Sequence, residues 1–402
     1  MRKNAKNYLS CTHFLRATYT DTKIVEVIMK KKVALIFGGR SLEREISIIT
    51  AMQVLSNIDK SLFCVEPIYM YEGDFYVGGL NKISDFVNFA ASSNKKAILA
   101  KGEFFTLKRD KLSRYFKPDV ALLCCHGGEG ENGILQSILQ YNGIPYTSAD
   151  TLACAVCMDK SVSKRIFENM GLNVLPYFVL SKSDFEADES ATIEKIEGIL
   201  SYPLIIKPAS QGSSIGIGVA KDAEQLRFAL QVACQFDDKI VVEHKLSDFV
   251  EVNCACFEKE EKVVVSQTEQ PCSPSDFLTF DDKYGTGGKM SGLTRIMPAN
   301  IGALNDVVKQ ISARIYKELG LFGAVRIDFL VDESENKVYV NEVNTIPGSM
   351  AFYLFEGVGI PFKDLLSSLC DEAILRHIRS NKRTVFNTNV LKGFANGAKL
   401  GK

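Results

Sequence analysis

Two short stretches hold the side chains best suited to chemistry. Residues 324–331 (Ala-Val-Arg-Ile-Asp-Phe-Leu-Val) carry Arg326 and Asp328, and residues 337–343, with the residue after them, carry Glu342 and Asn344. Both alternate as strands do, and the polar stretch 332–336 between them reads as a hairpin loop. Side chains two apart share a face, so Arg326 pairs with Asp328, and Glu342 with Asn344. Folding the hairpin brings Asp328 to the Glu342/Asn344 end. Two carboxylates and an amide oxygen, with no His or Cys, form a hard-oxygen set suited to Mg²⁺. A solvent-facing strand side is the bland alternative. The flanks are too apolar for it, and Pro347-Gly348 turns the chain at once.

A divalent ion held by few protein ligands commonly takes nucleotide phosphates as its others. The loop 209–218 offers three glycines and three serines, whose N–H and hydroxyl groups can close over phosphate oxygens. Lys207, just before it, supplies a point charge. The P-loop pattern is absent. A further Gly-rich charged loop at 281–289, containing Lys283 and Tyr284, reads as an active-site lid or an ordinary surface loop. His126 lies in a Gly-rich turn and reads equally as a structural imidazole. Glu45 reads equally as an exposed first-turn helix carboxylate. Gly128, Gly130 and Gly133 match G-x-G-x-x-G, but Glu129 and Glu131 inside the loop would repel a pyrophosphate, which argues against a dinucleotide site. Cys154 and Cys157 form the one C-x-x-C, in a helix-like stretch with no second pair for zinc.

These groups need elements to aim them. Residues 33–37 read as a buried strand entering a Gly turn and then a helix over 43–58. A second such unit runs from 120–125 through the 126–133 turn into a helix over 134–141, ended by Asn142-Gly143. Ligands in open α/β sheets lie beyond the carboxyl ends of the strands, so both turns are candidate site walls. A second region near residue 150 opens with one helix running to Met170. A strand at 176–180, a helical stretch at 184–200, a strand entering Lys207-Pro208 and a strand 239–243 follow. The third region, from about residue 245, is richer in long strands (251–257, 262–267, 324–331 and 337–343). The expected division is 1–28 a disordered extension, 29–149 an open parallel α/β domain, 150–243 a central domain, 244–378 a C-terminal domain with the metal site, and 379–402 a basic disordered tail.

Composition limits the partners. The chain has 402 residues, with 48 Lys+Arg against 48 Asp+Glu, so it offers no net charge to drive nucleic-acid binding. No apolar run reaches the length of a membrane span, which predicts a soluble protein. Eleven cysteines, an odd number and several in apolar strands, predict free thiols in a reducing compartment.

Taken in order, the motifs resemble the D-alanine–D-alanine ligases of the ATP-grasp superfamily across about residues 32–370. The resemblance rests on Phe37-Gly38-Gly39-Arg40-Ser41 with Glu43-Arg44-Glu45-Ile46-Ser47, on His126-Gly127 with Gly130-Glu131-Asn132-Gly133, and on Met158-Asp159-Lys160. It continues through Lys207-Pro208 with Gly212-Ser213-Ser214-Ile215-Gly216, Lys283-Tyr284, Arg326-Ile327-Asp328, Glu342-Val343-Asn344-Thr345 and Pro347-Gly348. It implies an α/β ATP-grasp fold of three domains, α+β in its C-terminal part. It also implies that ATP phosphorylates one D-alanine and that the amine of a second attacks the acyl phosphate. Asp328, Glu342 and Asn344 would hold two Mg²⁺ ions, with Mn²⁺ able to substitute. Lys160, Lys207 and Ser214 would bind phosphates, Glu243 the adenine amine, Glu251 the ribose, and Lys283 the γ-phosphate. Glu45 would pair with the first D-alanine's ammonium, supported by His126. Arg326 and the Gly348 N–H would stabilise the oxyanion, and Ser213 and Tyr284, linked to Glu45, would position the second D-alanine. A cytoplasmic homodimer serving peptidoglycan synthesis, with no nucleic-acid or membrane partner, completes the implied picture.

Three departures stand out. Where the family has a serine that contacts the second substrate's carboxylate, spacing puts Tyr353. One extra residue separates Glu243 from Glu251, and His244 replaces a lysine. The alternatives are a ligase with another acceptor, such as D-lactate, and a non-catalytic nucleotide-binding module. Tyr284 favours the dipeptide, since ester-forming relatives tend to lose it.

Overall fold

The computed structural model describes residues 15–18, 25–108, 111–272, 294–380 and 391. The expected lid at 281–289, with Lys283 and Tyr284, lies outside the described residues, as does most of the tail beyond Ser380.

The first sheet has seven strands in the order Lys111–Phe116, Glu103–Lys108, Lys95–Ala100, Asp74–Val77, Phe63–Tyr71, Lys31–Gly38 and Val120–Leu123. Lys31–Gly38 runs parallel to both its neighbours, but the remaining pairs are antiparallel. The expected open parallel sheet is therefore parallel at one end only. Short turns at Glu72-Gly73 and Lys101-Gly102, all at positive φ, allow hairpins where a parallel strand would need a long crossover. The helix Arg44–Asn57 follows the parallel strand and buries Ile48, Ala51 and Val54 against it. Ser47 on that helix accepts from the Gly38 N–H at 2.6 Å and donates to the Cys124 carbonyl at 2.8 Å. One hydroxyl thus ties together the carboxyl ends of two adjacent strands, where both Gly-rich turns begin.

The second sheet is antiparallel, with four strands in the order Tyr177–Ser181, Lys239–His244, Leu204–Pro208 and Gly218–Ala220. Its own apolar core includes Leu180, Leu204, Ile206, Leu226 and Val242. The third sheet is also antiparallel: Thr294–Ile296, Lys262–Cys272, Val250–Lys259, Val325–Asp332 and Lys337–Asn344. Leu304–Glu318 packs beneath it through Val308 and Ile315.

The single helix expected up to Met170 is two, Thr151–Met158 and Lys160–Asn169. Asp159 leaves the helical region at ψ 103°, and its carboxylate caps the second helix by accepting from the Ser161 and Val162 N–H groups. The stretch 184–200 likewise divides, at Asp188, into Lys182–Ala187 and Glu189–Glu197. Within the expected N-terminal extension, Leu15–Thr18 pairs antiparallel with Val25–Ile28.

Candidate active site

A cleft between the second and third sheets, closed at one end by the Gly-rich turns of the first, gathers most of the expected residues. Its lining includes His126, Lys160, Lys207, Ser213, Ser214, Glu243, Glu251, Arg326, Asp328, Glu342, Asn344, Gly348 and Tyr353.

The hairpin sets its floor. Asp328 pairs in register with Glu342, and Arg326 with Asn344. Arg326 grips Asp328 bidentately, Nε to Oδ1 at 2.6 Å and Nη2 to Oδ2 at 2.7 Å. Asn344 Nδ2 donates to Asp328 Oδ2 at 3.0 Å. Burial alone would lower the Arg326 pKa, but Asp328 outweighs it and drives it up, so the guanidinium stays charged. A bulge between Asp328 and Phe329 adds a residue to the second strand, and Asn341 and Glu342 both line the cleft. The row continues across the sheet, because Asn253 pairs with Asp328 on one side and Glu269 on the other. Among the described residues, no three His, Cys, Asp or Glu side chains cluster as a metal site. The expected metal site is two acids and an amide.

The second sheet and the helix Lys160–Asn169 supply lysines. Lys207 Nζ donates to Glu243 Oε2 at 2.9 Å and to Asn341 Oδ1 at 3.2 Å, joining the two sheets across the cleft. Lys160 opens its helix, donates to the Gln211 carbonyl at 2.6 Å and lies 3.5 Å from Glu342 Oε2. Glu243 is fully buried. Burial pushes its carboxyl up, but Lys164 and Lys207 outweigh it and hold it at about 2. Glu243 Oε1 sits 3.2 Å from Lys164 Nζ, yet among the described residues it accepts no aligned hydrogen bond. A buried acceptor with spare lone pairs is suited to an incoming N–H. Lys164 was missed from sequence; its signal was the i,i+4 spacing from Lys160.

The first sheet contributes an acid, but not the expected one. Glu45 is exposed on the first turn of its helix and is absent from the cleft lining. Glu43, just before the helix, takes the position instead, and Ser213 Oγ donates to its Oε1 in a very short bond. A Cβ on Gly127 or Gly212 would meet Glu43 Oε2 at 2.6 or 2.7 Å. The carboxylate is therefore packed between two glycines from different sheets. Its signal was the spacing: a residue that precedes the helix follows the turn into the cleft, whereas one a step into the helix points outward.

His126 is buried with both ring nitrogens engaged inside the protein, Nδ1 2.8 Å from the Ile346 carbonyl and Nε2 2.8 Å from Thr50 Oγ1. A carbonyl only accepts, so Nδ1 carries the proton. Burial lowers the imidazole to about 4, so it is neutral. Thr50 Oγ1 in turn accepts from the Ser349 N–H at 3.1 Å. His126 lines the cleft, and its bonds fix the turn that bears Gly348. Glu131 joins the same structure, accepting from the Gly127 and Ile346 N–H groups at 2.7 and 2.9 Å. Burial, aided by Glu43, raises it to about 7.

Two antiparallel sheets thus share one cleft, with Lys207 and Glu243 on one and Arg326, Asp328, Glu342 and Asn344 on the other, an arrangement that fits an ATP-grasp ligase. Comparison with known proteins narrows this further. A family model described as "D-ala D-ala ligase N-terminus" matches residues 32–149, and one described as "D-ala D-ala ligase C-terminus" matches 166–371. The D-alanine–D-alanine ligase of Caldicellulosiruptor bescii is 34% identical over 358 residues, 86% of this chain and 95% of its own length. That of Chloroherpeton thalassium is 34% identical over 371 residues, 89% of this chain and all of its own. Among solved structures, the D-Ala:D-Ser ligase VanG of Enterococcus faecalis superposes with a TM-score of 0.73 at 30% identity, covering 86% of this chain and 100% of that one. The chain belongs to the D-alanine–D-alanine ligase family.

Proposed function

We propose that this protein joins two D-alanines into D-alanyl-D-alanine at the expense of ATP, as a step in making peptidoglycan precursors. The γ-phosphoryl group passes to the carboxylate of the first D-alanine, releasing ADP. The amine of the second attacks the acyl phosphate, loses a proton and expels phosphate. The observation that carries this reading is the convergence of Asp328, Glu342 and Asn344 with Arg326, Lys160 and Lys207 in one cleft. Three regions divide the work: 29–149 for the first D-alanine, 150–243 as a cover over ATP, and 244–378 for the metal.

Lys160, Lys207 and Ser214 bind the phosphates. Glu243 accepts from the adenine amine through the oxygen that lacks an aligned donor, and Glu251 holds the ribose. Asp328, Glu342 and Asn344 would hold Mg²⁺, two ions with Mn²⁺ as a substitute; their hard oxygens fit it. The metal would neutralise phosphate charge. Glu43, in the role expected of Glu45, pairs with the first D-alanine's ammonium, and Ser213 fixes its carboxylate. Arg326 and the Gly348 N–H stabilise the tetrahedral oxyanion. Lys283 and Tyr284 complete the γ-phosphate and acceptor ends, and Tyr353 walls the acceptor side. The resemblance to the family supports a cytoplasmic homodimer.

The test is release of phosphate from ATP and Mg²⁺, with and without D-alanine, with the product identified by mass. D-Alanine-dependent release with dipeptide formed supports the proposal. D-Serine and D-lactate as competing acceptors give the direct challenge. Preferential ester formation, or ATP binding without turnover, overturns it.

A further inference from the structure

The polar row across the third sheet continues beyond the groups assigned so far. Glu342, Asp328, Asn253 and Glu269 face each other in register across four strands. The fifth strand, Thr294–Ile296, adds Arg295, opposite Pro271. Arg295 Nε lies 3.1 Å from Glu269 Oε1, and its guanidinium stacks 4.0 Å from the centre of the Tyr353 ring. Tyr353 Oη donates to Glu269 Oε2 at 3.2 Å, and Asn253 Nδ2 to the same oxygen at 3.3 Å. Glu269, Arg295, Tyr353 and Asn253 all line the cleft.

We propose that Arg295, held by Glu269 and seated over the Tyr353 ring, anchors the α-carboxylate of the acceptor amino acid. The inference rests on the ligase reading above and names the residue that fixes its second substrate. An acceptor carboxylate entering a floor lined by Glu342, Asp328 and Glu269 would be repelled unless a cation met it. Among the described residues, Arg326 is taken bidentately by Asp328, and Lys160 and Lys207 lie at the opposite end, against Glu342 and Glu243. Arg295 lies at the other end of the row. Glu269 is two strands from Asp328, roughly 10 Å at the usual strand spacing. That separation leaves room for a phosphoryl group, the carbonyl under attack and a short amino acid. Glu269 has 3% of its side chain exposed, whereas Arg295 keeps 29%. The acid is the locked partner and the guanidinium the accessible one. Its seat over the ring restrains a fork that matches a carboxylate's two oxygens.

Arg295→Ala should raise the KM of the second D-alanine about 30-fold or more, while the KM values of ATP and of the first D-alanine move less than about twofold. Preference for D-alanine over D-alaninamide, which lacks the carboxylate, should fall about tenfold or more in kcat/KM. A merely structural ion pair would leave that preference untouched. Arg295→Lys, which keeps the charge and loses the planar fork, should sit between, with a rise of about 3- to 10-fold; it also serves if the alanine variant fails to fold. Hydroxylamine, trapping the acyl phosphate as D-alanyl hydroxamate, separates the two failures. No hydroxamate from the parent protein defeats the ligase reading. Hydroxamate from the parent together with an unchanged acceptor KM in both variants, an unchanged amide preference, or a rise confined to ATP defeats the Arg295 assignment.

Discussion

At the scale of single residues, a displacement of two positions decides which acid faces the cleft. Glu43 sits where Gly127 and Gly212 leave no room for a methyl group. Gly212→Ala should therefore push the carboxylate aside. We expect kcat/KM for D-alanine to fall about tenfold or more, since small misplacements of catalytic groups are costly. The melting temperature should hold, because Gly212 has no left-handed backbone to strain. A mutant with full activity would remove Glu43 from the proposed ammonium site. Glu342→Gln should abolish turnover while the circular dichroism spectrum is preserved, and near-normal activity would exclude it from the proposed metal set.

Two buried groups lining the cleft give a pH signature. His126 falls to about 4 through burial, below its unfolded value of about 6.5. The unfolded chain binds a proton that the fold refuses, so this group makes stability rise with pH across that window. Glu131 rises to about 7 through burial and then Glu43, from 4.5. Here the fold keeps a proton that the unfolded chain releases, so stability falls as pH rises from 4.5 to 7. The two slopes oppose one another. His126→Asn should expose the second: relative to the parent, it should lose about 1–2 kcal/mol between about pH 5 and 6.5. Urea unfolding at the two pH values measures this, and parallel curves would refute it.

At the scale of elements, the hairpin was legible because alternation and register are local. Arg326 and Asp328 must share a face whatever they pack against, and the polar stretch 332–336 could only be the loop. The helix 134–141 was legible for the same reason, bounded by Gly133 and the Asn142-Gly143 turn. The break at residue 159 was not, since Asp also occurs inside helices, and only the tertiary demand that Lys160 reach the Gln211 carbonyl selects the cap. Asp159→Ala removes the cap and its ion pair with Lys239 at 2.5 Å. It should cost about 1–2 kcal/mol, read by chemical denaturation, and should raise the KM of ATP by moving Lys160. A change in stability with no change in that KM would separate the cap from the site. The antiparallel strands between Lys95 and Phe116 were missed as well. They pair with one another and, through Lys95–Ala100, with Asp74–Val77, and short apolar runs of this kind do not by themselves distinguish strand from helix.

At the scale of the whole molecule, no region owns the site. The second sheet has an apolar core of its own, whereas the core of the first also takes in Ala255 and Phe257 of the third, and the cleft is where these layers meet. Order and type of motif therefore revealed the family, while the meeting points stayed hidden. The Glu43–Ser213 contact spans 170 residues of sequence, and Arg295 meets Tyr353 across the last sheet. Neither has any local pattern.

The turn after Gly348 shows what this shared ownership entails. Ser349, Met350 and Ala351 all adopt left-handed backbone, at φ 53°, 56° and 50°, a run that L-residues resist by about 1–2 kcal/mol apiece. Nothing in its own short sequence would hold that shape; Thr50 and His126, reaching over from the other end of the chain, do. The loop bearing Gly348 thus holds its shape only where the first sheet is docked against it.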